Sequence, residues 1–181
     1  MLEIAAIAHT WDGRALPSSQ IIHCTLERQD RHLIWRIDAP YYGDPAPDHP
    51  VGPTPGLWNH EVVELFIGQD PFTDGDYEYS EIECSPHGHH LIVQIRGIRR
   101  IIRQCLPMDY HATIGSERWT ATAHIPLDLL PQGRWRYNLC SIHGTGHARC
   151  YCSMVTLPGA YADFHRPGRY KVPDAPIGGV R

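Results

Sequence analysis

Regularly spaced carboxylates are the residues of this chain best suited to chemistry. Glu61 and Glu64 are set among Val62, Val63, Leu65, Phe66 and Ile67, just after Trp58, and Tyr79, Glu81 and Glu83 follow at alternate positions. Side chains two apart in a strand share a face. If the two runs are strands that pair, carboxylates and an aromatic converge on one sheet surface. A buried carboxylate is costly without a partner, so that surface is expected to be a polar groove. Carboxylate pairs also serve acid–base chemistry. Glycoside hydrolysis needs two of them about 5–9 Å apart, and His87 or His143 would be the proton carrier. No Gly-x-Ser-x-Gly nucleophile motif and no phosphate-cradling glycine loop accompanies them, so no catalytic residue is assigned.

Histidine and cysteine form a second constellation. Thirteen histidines include His87-Gly-His89-His90 and His143-Gly-Thr-Gly-His147, and His147-x-x-Cys150-x-Cys152 brings sulfur close. Cys-x-Cys on a strand puts both thiols on one face. Structural zinc sites, however, need about four ligands, usually as two matched pairs, and no second pair is present. The expectation is therefore no metal and no cofactor, with His87, His143 and His165 clustered at one rim of the groove.

The elements that must position these groups are short strands. Candidate runs are Ile21–Arg28, His32–Asp38, Glu61–Ile67, Tyr77–Ser85, Leu91–Ile98, Tyr110–Ile114, Trp119–Ile125, Arg136–His143 and Ala148–Met154, separated by turn signals such as Gln29-Asp30 and Gly115-Ser116. No sustained 3.6-residue period occurs, and Pro126–Pro131 is at most one helical turn. The chain of 181 residues suffices for one domain with a proper core. The expected fold is all-β: an antiparallel two-sheet β-sandwich, jelly-roll-like, spanning residues 1–181. Its core is expected over Trp35, Phe66, Leu91, Val93 and Leu139. A proline-rich loop at 39–55 and an extended tail at 171–181 complete it.

Composition narrows the partners. The net charge is −4 and no basic run exceeds Arg99-Arg100, so neither a nucleic-acid footprint nor a membrane patch is visible. No stretch is long and apolar enough to span a bilayer, and the N-terminal residues lack the pattern of a secretory signal. These features lead to the expectation of a cytoplasmic protein whose six cysteines stay reduced.

Several motifs resemble a known group. Trp58-x-x-Glu61-x-Val63-Glu64-x-Phe66-Ile67 is similar to the signature of family-9 carbohydrate-binding modules and the wider DOMON-like sandwiches. Tyr137-Asn138-Leu139 resembles a later strand of those modules, and the run Asp163–Tyr170 resembles the closing motif of the DOMON-like branch. A closer resemblance, over nearly the whole chain, is to an uncharacterised family sharing HTWDG (His9–Gly13), LWxxEVVE (Leu57–Glu64), CPHGxHL (here CSPHGHHL) and IHG (Ile142–Gly144). The sugar-binding resemblance implies a site where two aromatics, Trp58 and Phe164, sandwich a saccharide while Glu64 bonds its hydroxyls. Glu83 stands where those modules carry arginine and Cys140 where they carry glutamine, so two polar contacts have changed chemical type. The physical logic survives, since sugar faces stack on rings and carboxylates accept hydroxyl donors.

The residues expected to bind a saccharide or other small polar ligand are thus Trp58, Glu64, Glu83, Phe164, Cys140, His87, His143 and His165. The alternatives are an enzyme acting on a glycoside-type substrate through carboxylate and histidine groups, or a metal-binding or protein-interaction module. Each residue also has a plain structural reading. Trp58 would then be a rim or core aromatic, Glu64 a partner of Arg96 or Arg36, and Phe164 a plug at one end of the sandwich.

Overall fold

The computed structural model describes residues 2–174 and Ile177. Eleven strands follow in order: β1 (Leu2–Ile7), β2 (Ile22–Gln29), β3 (His32–Pro40), β4 (Val62–Gln69), β5 (Glu78–Cys84), β6 (His90–Arg96), β7 (Ile101–Gln104), β8 (Asp109–Ile114), β9 (Arg118–Pro126), β10 (Trp135–His143) and β11 (Cys150–Ser153). They form two antiparallel sheets, ordered β1-β2-β3-β9-β8 and β11-β10-β4-β5-β6-β7. The described residues contain no α-helix, only single 3-10 turns such as Leu127–Leu129. No helix among them is long and apolar enough to cross a membrane.

The two-sheet sandwich read from the sequence is therefore the observed fold. Two strands escaped that reading. β1 alternates exposed and buried positions, but over only six residues and with Ala5 and Ala6 weakening the polar–apolar contrast. β7 is exposed along its whole length, so it has no hydrophobic alternation to detect.

The six-stranded sheet is covered on both faces, which is unusual for an antiparallel sheet. On its inner face Val63, Leu65, Ile67, Ile82, Ile92 and Leu139 pack against the five-stranded sheet, where Trp35, Trp119 and Leu26 are fully buried. On its outer face Phe66, Tyr79, Leu91 and Val93 pack beneath a C-terminal strap that contributes Leu157, Phe164 and Tyr170. The expected core is corrected accordingly. Trp35 and Leu139 lie between the sheets, but Phe66, Leu91 and Val93 belong to the outer core. Strand parity requires this, because Glu64 and Phe66 share a face.

Polar anchors tie the covering segments down. Glu3, buried in β1, accepts hydrogen bonds from the Tyr137 hydroxyl at 2.8 Å and Lys171 Nζ at 3.0 Å. Lys171 also exchanges backbone hydrogen bonds with Tyr137, which fixes the start of the expected tail 171–181. Beyond Asp174, Ile177 apart, that tail lies outside the described residues.

Two buried cores on one sheet make a specific prediction. Adjacent residues Leu65 and Phe66 point to opposite faces, yet each should cost about 2–5 kcal/mol of unfolding free energy when cut to alanine. Ile101→Ala on exposed β7 should stay within about 0.5 kcal/mol of the parent. Urea denaturation measures all three. A near-neutral Phe66→Ala would mean that the outer face is not a core.

Candidate functional site

The register of β4 and β5 places Glu64 opposite Glu83 and Phe66 opposite Glu81. On the other side of β4, Cys140 of β10 is opposite Glu64. One carboxylate oxygen from each of Glu64, Glu81 and Glu83 lies within 4.8 Å of the others. All three residues are buried, and Glu83 has no exposed surface at all. Neither Glu83 oxygen has a hydrogen-bond partner, nor does Glu64 Oε2. The cation partners considered for Glu64 are engaged elsewhere, Arg96 with Glu78 and Arg36 with Glu27.

Three carboxylates this close in a water-poor site cannot all carry charge. Burial pushes every one of them up. Glu81 rises to about 7 against the pull of Arg99, and repulsion from Glu81 adds to the effect of burial at Glu64 and Glu83. At neutral pH the cluster therefore holds protons. A protonated carboxyl donates as well as accepts, which makes the cluster able to meet hydroxyl groups in either sense.

A cavity of about 330 Å³ opens onto this cluster. Glu64, Glu81 and Phe66 line it from the sheet. Ile95, Arg99 and Ile101 line one side, and Trp58, Tyr151, Phe164 and His165 contribute rings. Trp58 is 38% exposed. Phe164 is only 7% exposed and meets Phe66 and Tyr151 edge-on, with ring centroids at 6.3 Å and 6.2 Å. Phe164 is thus a buried wall and not an open stacking platform.

His165 is held by a polar chain. The Arg99 backbone N–H donates to the Tyr79 hydroxyl at 3.0 Å, and that hydroxyl lies 2.8 Å from His165 Nδ1. Burial first, and Arg99 second, lower His165 to about 4, so the ring is neutral at pH 7. The Tyr79 hydroxyl and Nδ1 share one hydrogen bond whose direction follows the ring tautomer, and the other ring nitrogen is Nε2. That atom lies 4.0 Å from Glu81 Oε2. Arg99 in turn pairs with Asp163 at 2.5 Å, which docks the strap beside the cavity mouth.

The other expected site residues lie elsewhere. Cys140 is sealed in a polar network with Asn138 Nδ2 at 3.2 Å and Ser153 Oγ at 3.7 Å. His87 and His143 do not share a rim with His165. They are where loop 39–55 docks: His87 Nε2 meets the Asp44 carbonyl oxygen at 3.1 Å, and His143 stacks on Tyr42 with centroids 3.6 Å apart and planes 3° from parallel. Glu61 accepts the backbone N–H groups of Tyr42 and Asp44 at 3.0 and 3.2 Å, and Asp44 Oδ2 accepts Gly144 N–H at 2.6 Å. The proline-rich loop therefore seals one end of the sandwich, and none of its residues lines the cavity.

Glu81 and Tyr151 were not among the expected ligand-binding residues. Glu81 has the parity of Glu83, and Tyr151 alternates with Cys150 and Cys152, so period-two spacing alone could have placed both. A larger cavity of about 720 Å³ opens between the Arg28–His32 turn and the Pro126–Trp135 segment. Its charged groups, Arg28, Asp30, Arg31 and Asp128, are exposed, so it has none of the electrostatic tension of the carboxyl cluster.

Comparison with known proteins places the chain. No family sequence model matches it. The UPF0462 protein C4orf33 homolog of Danio rerio is 36% identical over 169 residues, which cover 88% of this chain and 83% of that protein. The human UPF0462 protein C4orf33 is 33% identical over 167 residues, covering 88% of this chain and 81% of that protein. The chain belongs to the UPF0462 (C4orf33) family. Among solved structures, a candidate carbohydrate-binding protein from Bacteroides uniformis superposes with a TM-score of 0.73 at 13% identity, over 94% of this chain and 84% of that one. At that identity the likeness establishes a shared fold. The UPF0462 members match in sequence along most of their length, as the near-full-chain resemblance to an uncharacterised family anticipated.

The raised carboxyls give this family member a testable pH response. A carboxyl whose folded-state pKa lies above its unfolded value contributes stability below the unfolded value and loses it as pH rises through the folded one. For Glu81 that window runs from about 4.5 to about 7. Relative to Glu81→Gln, the parent should lose on the order of 2–3 kcal/mol of stability between pH 4.5 and pH 8. Parallel denaturation curves at both pH values measure the difference. Identical pH profiles for the two proteins would contradict a raised Glu81.

Proposed function

We propose that this chain binds a saccharide, or a small polar ligand of similar hydroxyl density, in the cavity over Glu64, Glu81 and Glu83. The supporting observation is the floor itself: three mutually close, buried carboxyl groups, with unpartnered oxygens on Glu64 and Glu83, beneath a cavity walled by rings. A dry core gains nothing from such groups, whereas a polyhydroxylated ligand would meet the two that line the cavity, Glu64 and Glu81. Trp58 offers the accessible ring for stacking on an apolar sugar face, and Tyr151 is the second ring within the cavity. Glu81 and His165 Nε2 supply a hydroxyl donor and acceptor side by side, and Arg99 marks the mouth. Phe164 shapes the wall, while Glu83 and Cys140 flank Glu64 in register from the neighbouring strands.

The candidate carbohydrate-binding protein of Bacteroides uniformis has the same fold, which favours this reading over a purely structural sandwich. Hydrolysis is the weaker reading. An acid–base pair must reach both substrate and water; Glu83 is sealed beneath the cavity, which leaves Glu64 and Glu81 as the one carboxyl pair on its lining.

A glycan array followed by calorimetric titration of the hits tests the proposal. Trp58→Ala should reduce affinity at least tenfold while leaving the unfolding transition in place, because the ring is partly solvent-exposed. Glu64→Gln should weaken binding by only about 1 kcal/mol, since the amide keeps one donor and one acceptor. Saccharide binding that survives Trp58→Ala unchanged would place the ligand elsewhere. The absence of any saccharide binding would remove the proposal.

A further inference from the structure

A second cluster lies on the opposite face of the same sheet. β10 and β11 pair so that His143 is directly across from Cys150 and Ser141 across from Cys152. Partners in register and residues two apart along a strand share a face, so His143, Cys150 and Cys152 project together. Their ligand atoms, a ring nitrogen and two Sγ atoms, lie within 4.8 Å of one another. The hairpin between them sets this register. Gly144 has φ +79°, and a Cβ there would come within 2.3 Å of the Ala148 carbonyl oxygen, so the turn is closed to any larger residue.

Two thiolates bound at about 2.3 Å to one tetrahedral zinc ion stand about 3.8 Å apart. The Cys150 and Cys152 sulfurs are separated by 3.8 Å. A thiol–thiol hydrogen bond alone could account for that distance, but it leaves the histidine unexplained. His143 Nδ1 is buried with no hydrogen-bond partner. The ring is nevertheless held in one orientation by its stack on Tyr42, and Asp44 bonds the next backbone N–H, that of Gly144. Groups so placed are costly unless something satisfies them.

From this geometry we infer that His143, Cys150 and Cys152 form a binding site for a thiophilic divalent cation, with zinc as the matching ion. Among the described residues three protein ligands converge, which leaves the fourth tetrahedral position to water or an external ligand. Cys150 is half-buried and offers an entry path, while Cys152 is packed in the inter-sheet core. Sequence spacing points to His147 as the nitrogen ligand, but His147 is exposed in the hairpin loop. Strand pairing selects His143 in its place.

The test uses the full-length, reduced protein and adds zinc or, as a spectroscopic probe, cobalt(II). The expected result is one equivalent of tight binding, with cobalt giving an intense tetrahedral spectrum and a thiolate charge-transfer band that zinc abolishes. His143→Asn and Cys150→Ser should each weaken zinc binding at least tenfold, and His147→Asn should leave it unchanged. In the unaltered protein, bound zinc should slow alkylation of Cys150 several-fold by mass spectrometry, a readout that does not depend on any variant folding. No saturable zinc binding, a cobalt spectrum without thiolate bands, or a dependence on His147 in place of His143 would each overturn the inference.

Discussion

Removing three carboxyl groups from water on one sheet face is the constraint on which the rest of this structure depends. An exposed antiparallel face could carry Glu64, Glu81 and Glu83 as solvated charges at little cost. Here the C-terminal strap lays Leu157, Phe164 and Tyr170 over that face, so the same carboxyls become desolvated neighbours. Two consequences follow from elementary electrostatics. The groups retain protons well above their usual range, and oxygens of Glu64 and Glu83 are left without hydrogen-bond partners. The strap both completes a second core and creates the polar tension within it.

The polar anchors divide the molecule into separate regions. Arg99, Asp163, Tyr79 and His165 hold the strap beside the carboxyl cluster. Glu61, Asp44, His87 and His143 hold the proline-rich loop against the end of the sandwich. β10 serves both regions through its parity: Cys140 and Ile142 face the outer core, while Ser141 and His143 face the other way. One strand thereby backs the candidate ligand cavity on one side and presents the cation ligand His143 on the other.

The legibility of these features in the sequence follows the same physics. Alternation at Tyr79, Glu81 and Glu83 correctly placed the carboxyls together, because period two is intrinsic to a strand. It failed to say which face was the core, since Val62 through Gly68 is buried on both sides and carries no polar–apolar contrast. Phe66 was assigned to the inter-sheet core although it has the parity of Glu64, and a parity check alone would have moved it. His87 and His143 were grouped with His165 because turns bracket all three. Turn position does not reveal which loop packs on which end, however, and the docking of 39–55 rests on long-range hydrogen bonds, from loop N–H groups to Glu61 and from the Gly144 N–H to Asp44 of the loop. The arrival of His165 and Phe164 over the sheet came from family resemblance, not from spacing, because no local pattern in a strap without regular structure encodes where it lands.

The central claim is that the outer face holds proton-bearing carboxyls that a polar ligand engages. Carbon-13 NMR titration of the glutamate carboxyl resonances tests it most directly, with Glu64, Glu81 and Glu83 assigned through their glutamine variants. The account predicts that Glu81 titrates near pH 7 and that Glu64 and Glu83 titrate well above the ordinary glutamate range, the three as a coupled set, and that a bound saccharide shifts the Glu64 and Glu81 resonances more than those of Glu27 or Glu78. Three independent titrations near the ordinary glutamate range, about 4.3, unmoved by any ligand, would contradict it.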